Sequence, residues 1–441
     1  MSSFLKGTLL LAAAAFFSEC IEFLVNMVLA NELGERGMGL YMSILPSIFF
    51  IVLLASLELP ISISKFIAER DGKYHKSMLQ HAIRLTIIFT ACLFIVTAIL
   101  IPHIPIFQHY HPLLKWLVIF LIPVVSFSSI ARGFFMGKQQ MGKIAVSNFL
   151  RKVVQLGLLV LVYQLFQFEM ETALLVAFCT LVGSEFIVFV YLIHMFLVQF
   201  QHLKQGPQNI ISKKTVLQNL MAVSIPTTAM RIFHAFTNAI EPFLIKAALV
   251  RSGFNENLAT EHFGMLAGVA ITIGFFPAFI AHSLLTMLIP TVSKAYAKKE
   301  TLRMQRLLQQ VMILTFSYGT FAVIIMYFLA EPLASLFFHS ATAAGYLQML
   351  WPYFLFHFFV IPMQAYLIGL GLMKDTFIHS IWSTVISFSL MYFLGSLPDF
   401  QMGGIIIGLN TGAVLLALMH YLTICKKIGI SWSLRTYPRN I

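Results

Sequence analysis

Twelve long apolar stretches dominate this chain and limit what it can fold into. Crossing the ~30 Å hydrocarbon core of a bilayer takes about 20 mostly apolar residues in a helix. Apolar residues make up 59% of the chain and charged residues only 10%, a balance that excludes an ordinary soluble domain. We therefore predict an all-α polytopic membrane protein with twelve transmembrane helices. The predicted segments, numbered 1 to 12, are 5–29, 38–63, 85–101, 113–135, 144–166, 172–199, 217–248, 263–288, 307–330, 344–371, 376–397 and 402–424.

The distribution of charge predicts the orientation, because Lys and Arg collect in cytoplasmic loops. Basic residues gather after the even-numbered segments and in the tail, whereas the odd-numbered loops hold most loop acids, such as Glu169 and Asp399. We expect a multi-pass protein of the cell membrane with both termini in the cytoplasm. The net charge of +12 follows from this asymmetry and favours contact with anionic membrane lipids, so nucleic-acid binding is not needed to explain it.

An internal repeat relates the two halves of the chain. Residues 64–68 (SKFIA) match 293–297 (SKAYA), and 133–137 (GFFMG) parallel 365–369 (AYLIG). Six helices per half return the chain to the same side, which predicts two parallel six-helix repeats around a central cavity. The predicted parts are an N-terminal lobe at 1–199, a cytoplasmic linker at 200–216, and a C-terminal lobe with a short cytoplasmic tail at 217–441.

Two lines of polar residues interrupt apolar segments. Their spacing of i, i+3, i+7 places them on one helical face, and ionisable groups at membrane depth are costly unless they face a cavity or each other. The members are Glu19, Glu22 and Asn26 in segment 1, and Arg231, His234, Asn238 and Glu241 in segment 7. The repeat aligns the two lines at an offset of 212. We expect both to line the central cavity near the bilayer midplane.

The acidic line suggests a coupling-ion site or a gate. Two carboxylates one turn apart, Glu19 and Glu22, can share one proton or Na⁺. The alternative is a hydrogen-bonded pair with a purely structural role. Arg231 and His234 can likewise form either a static ion pair with these acids or a gate that opens during transport.

Other polar residues carry weaker signals. A basic group after segment 4 is first a mark of cytoplasmic orientation and second a candidate electropositive mouth for anionic head groups. Its members are Arg132, Lys138, Lys143, Arg151 and Lys152. Glu58 and Glu185 lie within or near membrane depth, and their sequence context suggests no partner for either.

Nothing in the sequence indicates an enzyme or a cofactor. No spacing of His, Asp or Glu predicts a metal centre, no nucleotide motif occurs, and the longest connections are only about 20 residues. The four cysteines lie in or at the end of hydrophobic segments, which predicts packing residues rather than disulfides.

Three stretches resemble a known transporter family. They are 33–41 (LGERGMGLY) followed by Pro46, 59–65 (LPISISK), and 132–137 (RGFFMG). They are similar to the polysaccharide transporter branch of the multidrug/oligosaccharidyl-lipid/polysaccharide (MOP) flippases, and within it to the stage V sporulation protein B group. The resemblance extends over nearly the whole chain. It implies a twelve-helix, two-lobe fold that works by alternating access and moves lipid-linked envelope precursors during sporulation.

The chain departs from this family at one functional position. Several relatives carry basic residues on the cavity face of helix 1, where this chain has Glu19, Glu22 and Asn26. That difference disfavours a lipid-pyrophosphate substrate.

Two transport functions remain open on this basis, beside a third class, a membrane enzyme or a non-transporting scaffold, in which catalysis is disfavoured. The first is a flippase for a lipid-linked saccharide or a related amphiphilic precursor, driven by the membrane potential or a cation gradient. The second is a cation-coupled small-molecule exporter of the multidrug type, which the acidic face and the 43 Phe and 22 Met residues favour.

Overall fold

The computed structural model describes residues 3–69, 71–205, 212–338 and 340–430. Short 3₁₀ turns and a π-helical stretch, Met265–Ala270, join some of the α-helices. The α-helices, in chain order, are α1 (Ser3–Ser56), α2 (Leu59–Glu69), α3 (His75–Leu100), α4 (Leu113–Gly137), α5 (Met141–Leu165), α6 (Met170–Gln205), α7 (Lys213–Arg251), α8 (Glu256–Gly264), α9 (Ile271–Phe275), α10 (Ala278–Ala297), α11 (Thr301–Phe328), α12 (Ala330–Ala334), α13 (Ala341–Met349), α14 (Trp351–Gly369), α15 (Met373–Gly395) and α16 (Gln401–Ile428).

The predicted all-α membrane fold is confirmed. Within the described residues, ten helical runs are long and apolar enough to cross a membrane. One of them, Phe16–Ala68, joins segments 1 and 2 across a kink at Gly34, whose φ of 67° is readily available to glycine. The more polar helix α7 is not among the ten but coincides with segment 7. Each predicted segment therefore overlaps helix.

Two compact units divide the chain. One is Ser43–Ile240, and the other combines Met1–Met42 with Glu241–Ile441. We call them the middle unit and the outer unit. Their boundaries fall inside α1 and α7, so each of these long helices contributes to both units. The division into lobes at 1–199 and 217–441 stays a prediction, and residues 206–211 of the predicted linker lie outside the described residues.

Glycines bring helices together in the middle unit. A β-carbon on Gly133 of α4 would collide with Pro60 and Ile63 of α2, and one on Gly137 would collide with Ile67. Apolar side chains of α2, α3, α4, α6 and α7 complete this core. The packing explains why residues 133–137 have glycine at both ends.

The outer unit repeats this arrangement. Gly369 of α14 lies against Ile289 and Val292 of α10, and Ser293 Oγ donates a 3.0 Å hydrogen bond to the Gly369 carbonyl. Residues 289 and 292 match Pro60 and Ile63, the neighbours of Gly133, whereas Gly369 itself aligns with Gly137. The same pair of helices therefore packs through glycine in both halves, with the contact shifted by one helical turn.

The glycine-rich stretch at 33–41 packs against α8. A β-carbon on Gly39 would meet the backbone of Thr260, and one on Gly264 would meet the backbone at Glu35 and Gly39. Close approach of two backbones needs residues without side chains. This contact fixes the outer part of α1 within its unit.

The cysteine prediction is wrong for two residues. Cys425 is buried, but Cys92 in α3 and Cys179 in α6 are exposed on the protein surface, and Cys20 is half-buried. Hydropathy places a residue in a membrane helix without deciding which face it occupies.

Candidate functional site

The acidic line lies on α1 within the outer unit. Glu19, Glu22 and Asn26 are all half-buried, and Asn26 Nδ2 donates a 3.1 Å hydrogen bond to the backbone carbonyl of Glu22. This bond satisfies the amide within its own helix turn. The role of the two carboxylates as a coupling-ion site stays a prediction.

An apolar groove runs beside this line in the same unit. It has a volume of about 650 Å³. Helix α1 contributes Cys20, Phe23 and Leu24, and α11 contributes five residues that include Phe321 and Ala322. The rest of the wall comes from the α9–α10 region and from residues after α11. Leu24 and Phe321 are also exposed on the protein surface. The groove is thus open at its edge.

Aromatic contacts hold α1 next to α10. The Phe16 ring lies 5.3 Å from Phe279, and the Phe23 ring lies 5.5 Å from Phe276 and 5.1 Å from Phe337. Such edge-to-face pairs are worth ~0.5–1.5 kcal/mol beyond their buried area. Two of these rings, Phe23 and Phe276, also line the groove.

The polar line of segment 7 is shared by both units. Arg231, His234 and Asn238 belong to the middle unit, and Glu241 is the first residue of the Glu241–Ile441 part of the outer unit. His234 is half-buried, whereas Arg231 and Asn238 are exposed. The proposed gate of Glu19 and Glu22 with Arg231 and His234 connects residues of different units and stays a prediction.

Arg231 has a partner that the sequence did not suggest. Its Nη1 lies 2.5 Å from Oε1 of Glu58, which is 173 residues earlier in the chain. Only 5% of the Glu58 side chain is exposed, against 62% of the Arg231 side chain. A buried carboxylate is therefore paired with an arginine that is largely open to its surroundings.

Glu58 lies at a break in a membrane helix. Helix α1 ends at Ser56 and α2 begins at Leu59, with Leu57 and Glu58 at φ values of 46° and 47°. This left-handed conformation is unfavourable for residues with side chains and is often found at functional sites. Because Pro60 has no N–H, the carbonyl of Ser56 cannot receive its helical hydrogen bond.

The surroundings stabilise this break. Ser126 Oγ of α4 donates a 2.9 Å hydrogen bond to the carbonyl of Ala55, and Ser56 Oγ accepts one of 3.4 Å from the Glu58 N–H. In a membrane, helix breaks persist where side chains satisfy the freed backbone groups. In the sequence, the signal for this site was an acid, Glu58, two residues before Pro60 in an apolar segment.

Glu241 has aromatic and polar neighbours in the outer unit. It lies near Tyr353 of α14, whose ring is 4.4 Å from that of His357. The Tyr353 N–H donates a 3.0 Å hydrogen bond to Asn410 Oδ1 of α16. Glu241 thus belongs to a polar cluster inside this unit.

The basic group is partly neutralised in the middle unit. Arg151 Nη1 lies 3.5 Å from Glu185 Oε1, and Arg132 donates a 2.9 Å hydrogen bond to Asn148 Oδ1. Lys143 lies over the Phe135 ring at 4.7 Å. Of the other two predicted members, Lys138 is exposed and Lys152 is half-buried. Glu185, like Glu58, has an arginine partner that only the fold reveals.

A histidine pair was also missed. His379 of α15 and His420 of α16 are buried, with their Nδ1 atoms 3.1 Å apart, and Thr423 Oγ1 lies 3.2 Å from His379 Nε2. Neither residue is part of the sequence predictions, because the two histidines are 41 residues apart and meet only through the packing of α15 against α16. Within the residues that the structure describes, no group of three or more His, Cys, Asp or Glu is arranged to hold a metal ion.

The chain matches two protein families. Residues 4–253 match the polysaccharide biosynthesis protein family, and residues 265–393 match the MatE family. Sporulation protein YkvU of Bacillus subtilis (strain 168) is 55% identical over 432 residues, which cover 98% of this chain and 97% of YkvU. Stage V sporulation protein B of the same organism is 30% identical over 447 residues, covering 99% of this chain and 86% of that protein.

Solved transporters share the fold. An inward-facing multidrug resistance MATE family transporter of the MOP superfamily has a TM-score of 0.73 at 16% identity, covering 93% of this chain and 94% of its own. A MOP superfamily transporter from Pyrococcus furiosus has a TM-score of 0.67 at 15% identity, covering 96% and 95%. At these identities the likeness concerns the fold alone.

Proposed function

This chain belongs to the MOP flippase superfamily, in the group of stage V sporulation protein B, and from that premise we propose that it flips a lipid-linked saccharide or a related cell-envelope precursor during sporulation. The coarser part of this statement is established by family membership: the chain is a multi-pass membrane transporter and not an enzyme. The substrate is the proposed part.

The observation that carries the proposal is the division of α1 into two unlike faces. With 3.6 residues per turn, the groove residues Cys20, Phe23 and Leu24 are turned by roughly 120° from the polar line. One helix therefore presents an apolar channel on one side and hydrogen-bonding groups on the other.

An amphiphile fits such a divided helix. Its hydrocarbon chain would lie in the groove. Moving apolar surface out of water stabilises the bound state by ~25 cal/mol per Å². For a chain that comes from lipid, close packing against the side chains of the groove takes the place of this gain. Its saccharide would face Glu19, Glu22 and Asn26, which accept and donate hydrogen bonds to hydroxyl groups. Carboxylates suit a neutral or cationic head group better than a pyrophosphate.

The second candidate is a cation-coupled exporter of small molecules. Acids beside an aromatic groove also suit an apolar cation, since aromatic faces and carboxylates both attract positive charge. The two functions differ in their substrate: a lipid-linked saccharide needs the groove for its long hydrocarbon chain, whereas a small exported molecule does not.

Driving force and orientation complete the proposal. H⁺ or Na⁺ coupling would supply energy, and the basic group around Arg132 and Arg151 would attract anionic lipid at the cytoplasmic mouth. Both termini would lie in the cytoplasm.

Filling the groove tests this proposal. Ala322→Phe places a ring in the groove, whereas Ile324→Phe places one on the exposed face of the same helix. The readout is the flipping of a fluorescent polyisoprenyl-linked disaccharide in proteoliposomes. We expect Ala322→Phe to slow flipping about tenfold, equivalent to ~1.4 kcal/mol in the barrier, and Ile324→Phe to leave it near the wild-type rate.

The alternative gives a different result in the same vesicles. If the protein exports a soluble aromatic cation such as ethidium and moves no polyisoprenyl-linked disaccharide, the flippase proposal is wrong. Equal flipping by both phenylalanine variants would also contradict the role of the groove.

A further inference from the structure

The Glu58–Arg231 pair is asymmetric in burial, and this asymmetry bears on what the pair does. Glu58 is 5% exposed and held by a broken helix, whereas Arg231 is 62% exposed on α7. Removing one member of a buried ion pair is strongly unfavourable when the other charge stays behind without compensation. If Arg231 moves away, the buried Glu58 carboxylate is left without a compensating cation, whereas the largely exposed Arg231 is not confined in the same way.

The break offers oxygen donors for such a replacement. The Glu58 carboxylate, the Ser56 hydroxyl and the Ser56 carbonyl lie within three consecutive residues, and hard cations bind oxygen ligands of these types. The carboxyl-terminal end of α1 also points its negative dipole end at this position. Unwound carbonyls at broken membrane helices are a common setting for coupling ions.

We propose that Glu58 and the broken end of α1 form a Na⁺ site, and that Arg231 is a tethered cation that occupies it when Na⁺ is absent. One carboxylate in a low-dielectric site balances one cation, so Na⁺ and the guanidinium exclude each other. Na⁺ entry would release Arg231, and Na⁺ departure would draw it back.

This site is separate from the coupling-ion site predicted at Glu19 and Glu22. The Na⁺ site requires only that the protein is a transporter, which follows from its family. It does not depend on which substrate is transported. A failure here therefore leaves the flippase proposal unaffected.

Direct binding of ²²Na⁺ to the purified full-length protein in nanodiscs tests the site, with choline chloride keeping the ionic strength constant. Glu58→Gln keeps the size of the side chain but removes the charge, and should abolish saturable binding. Arg231→Met removes the competitor and should lower the Na⁺ dissociation constant about tenfold, or ~1.4 kcal/mol. The double variant should behave like Glu58→Gln.

The ion pair of Glu185 with Arg151 provides a matched control. Glu185→Gln removes another partly buried carboxylate that is paired with an arginine in the same unit, and it should leave Na⁺ binding unchanged.

Two results with the variants would overturn the proposal, and one with the wild-type protein would do so too. The first is saturable Na⁺ binding that persists in Glu58→Gln, and the second is a well-folded Arg231→Met variant whose Na⁺ affinity is not raised. If Arg231→Met does not fold, comparing Na⁺ binding by Glu58→Gln with Na⁺ binding by Glu185→Gln is sufficient to decide the question. A wild-type protein that responds to pH but binds no Na⁺ would likewise reject a sodium site.

Discussion

Single charges at membrane depth differ in how their surroundings compensate them. Glu58 and Glu185 each lie beside an arginine, at 2.5 Å and 3.5 Å, whereas Glu241 lies near the uncharged phenol of Tyr353. Replacing a paired buried ion is more disruptive than replacing an exposed one. The same residue type therefore has different roles at these three positions.

The acids of α1 can be tested by removing their charge alone. Glu19→Gln and Glu22→Gln preserve side-chain size and hydrogen bonding, so insertion and thermal stability should persist. If these acids act on the substrate or a coupling ion, transport in proteoliposomes should fall about tenfold, or ~1.4 kcal/mol. Full activity of both single variants and of the double variant at every pH tested would assign them a structural role.

At the scale of helices, the most informative feature is where regular structure stops. Gly34 kinks the first hydrophobic run, and Leu57 and Glu58 interrupt the second at left-handed backbone angles. Glycine accepts such angles without strain, but the other two residues do not. The surrounding contacts, such as Ser126 with the Ala55 carbonyl, must stabilise the break at Glu58.

Helix packing through glycine leads to a prediction about stability. Gly137→Ala would place a β-carbon against the Ser64 carbonyl and Ile67, so the helices must separate. Overpacking of this kind costs about 1–3 kcal/mol, and the thermal unfolding midpoint in detergent should fall.

A glycine with open space around it is the control. A β-carbon on Gly157 of α5 would meet nothing within 4 Å. Since alanine is a better helix former by ~1 kcal/mol, Gly157→Ala should keep or raise the midpoint. Equal loss of stability in both variants would show that the Gly137 contact is unimportant.

On the scale of the whole molecule, the chain repeats one packing scheme in two units. Gly133 and Gly137 contact α2 in the middle unit, and Gly369 contacts α10 in the outer unit. A duplicated set of helices is a common way to build a central transport path. Orientation of these helices in the membrane remains the main prediction at this scale.

Cysteine labelling can determine the orientation. In a cysteine-free background, single cysteines at Glu169 and Asp399 should react with an impermeant maleimide from outside intact cells. Cysteines at Lys138 and Lys298 should react only after permeabilisation. All four positions are exposed in the structure, so access to the reagent is not limited by the fold. The reverse pattern at either pair would overturn the predicted topology.

Local sequence patterns were sufficient to predict the membrane helices and the repeat. A run of about 20 apolar residues has few alternatives to a helix in lipid, because every backbone group must be satisfied within the segment. The polar lines on segments 1 and 7 were visible for the same reason, since helical periodicity is a property of neighbouring residues.

Tertiary structure alone decided which distant residues meet. The partners Glu58 and Arg231 are 173 residues apart, and the groove needs side chains from α1, α10 and α11 together. Hydropathy and residue spacing carry no information about contacts between segments, because these contacts depend on how the helices pack and on where their backbones break. Glu58 looked like an isolated acid in the sequence because the charge that balances it comes from another helix.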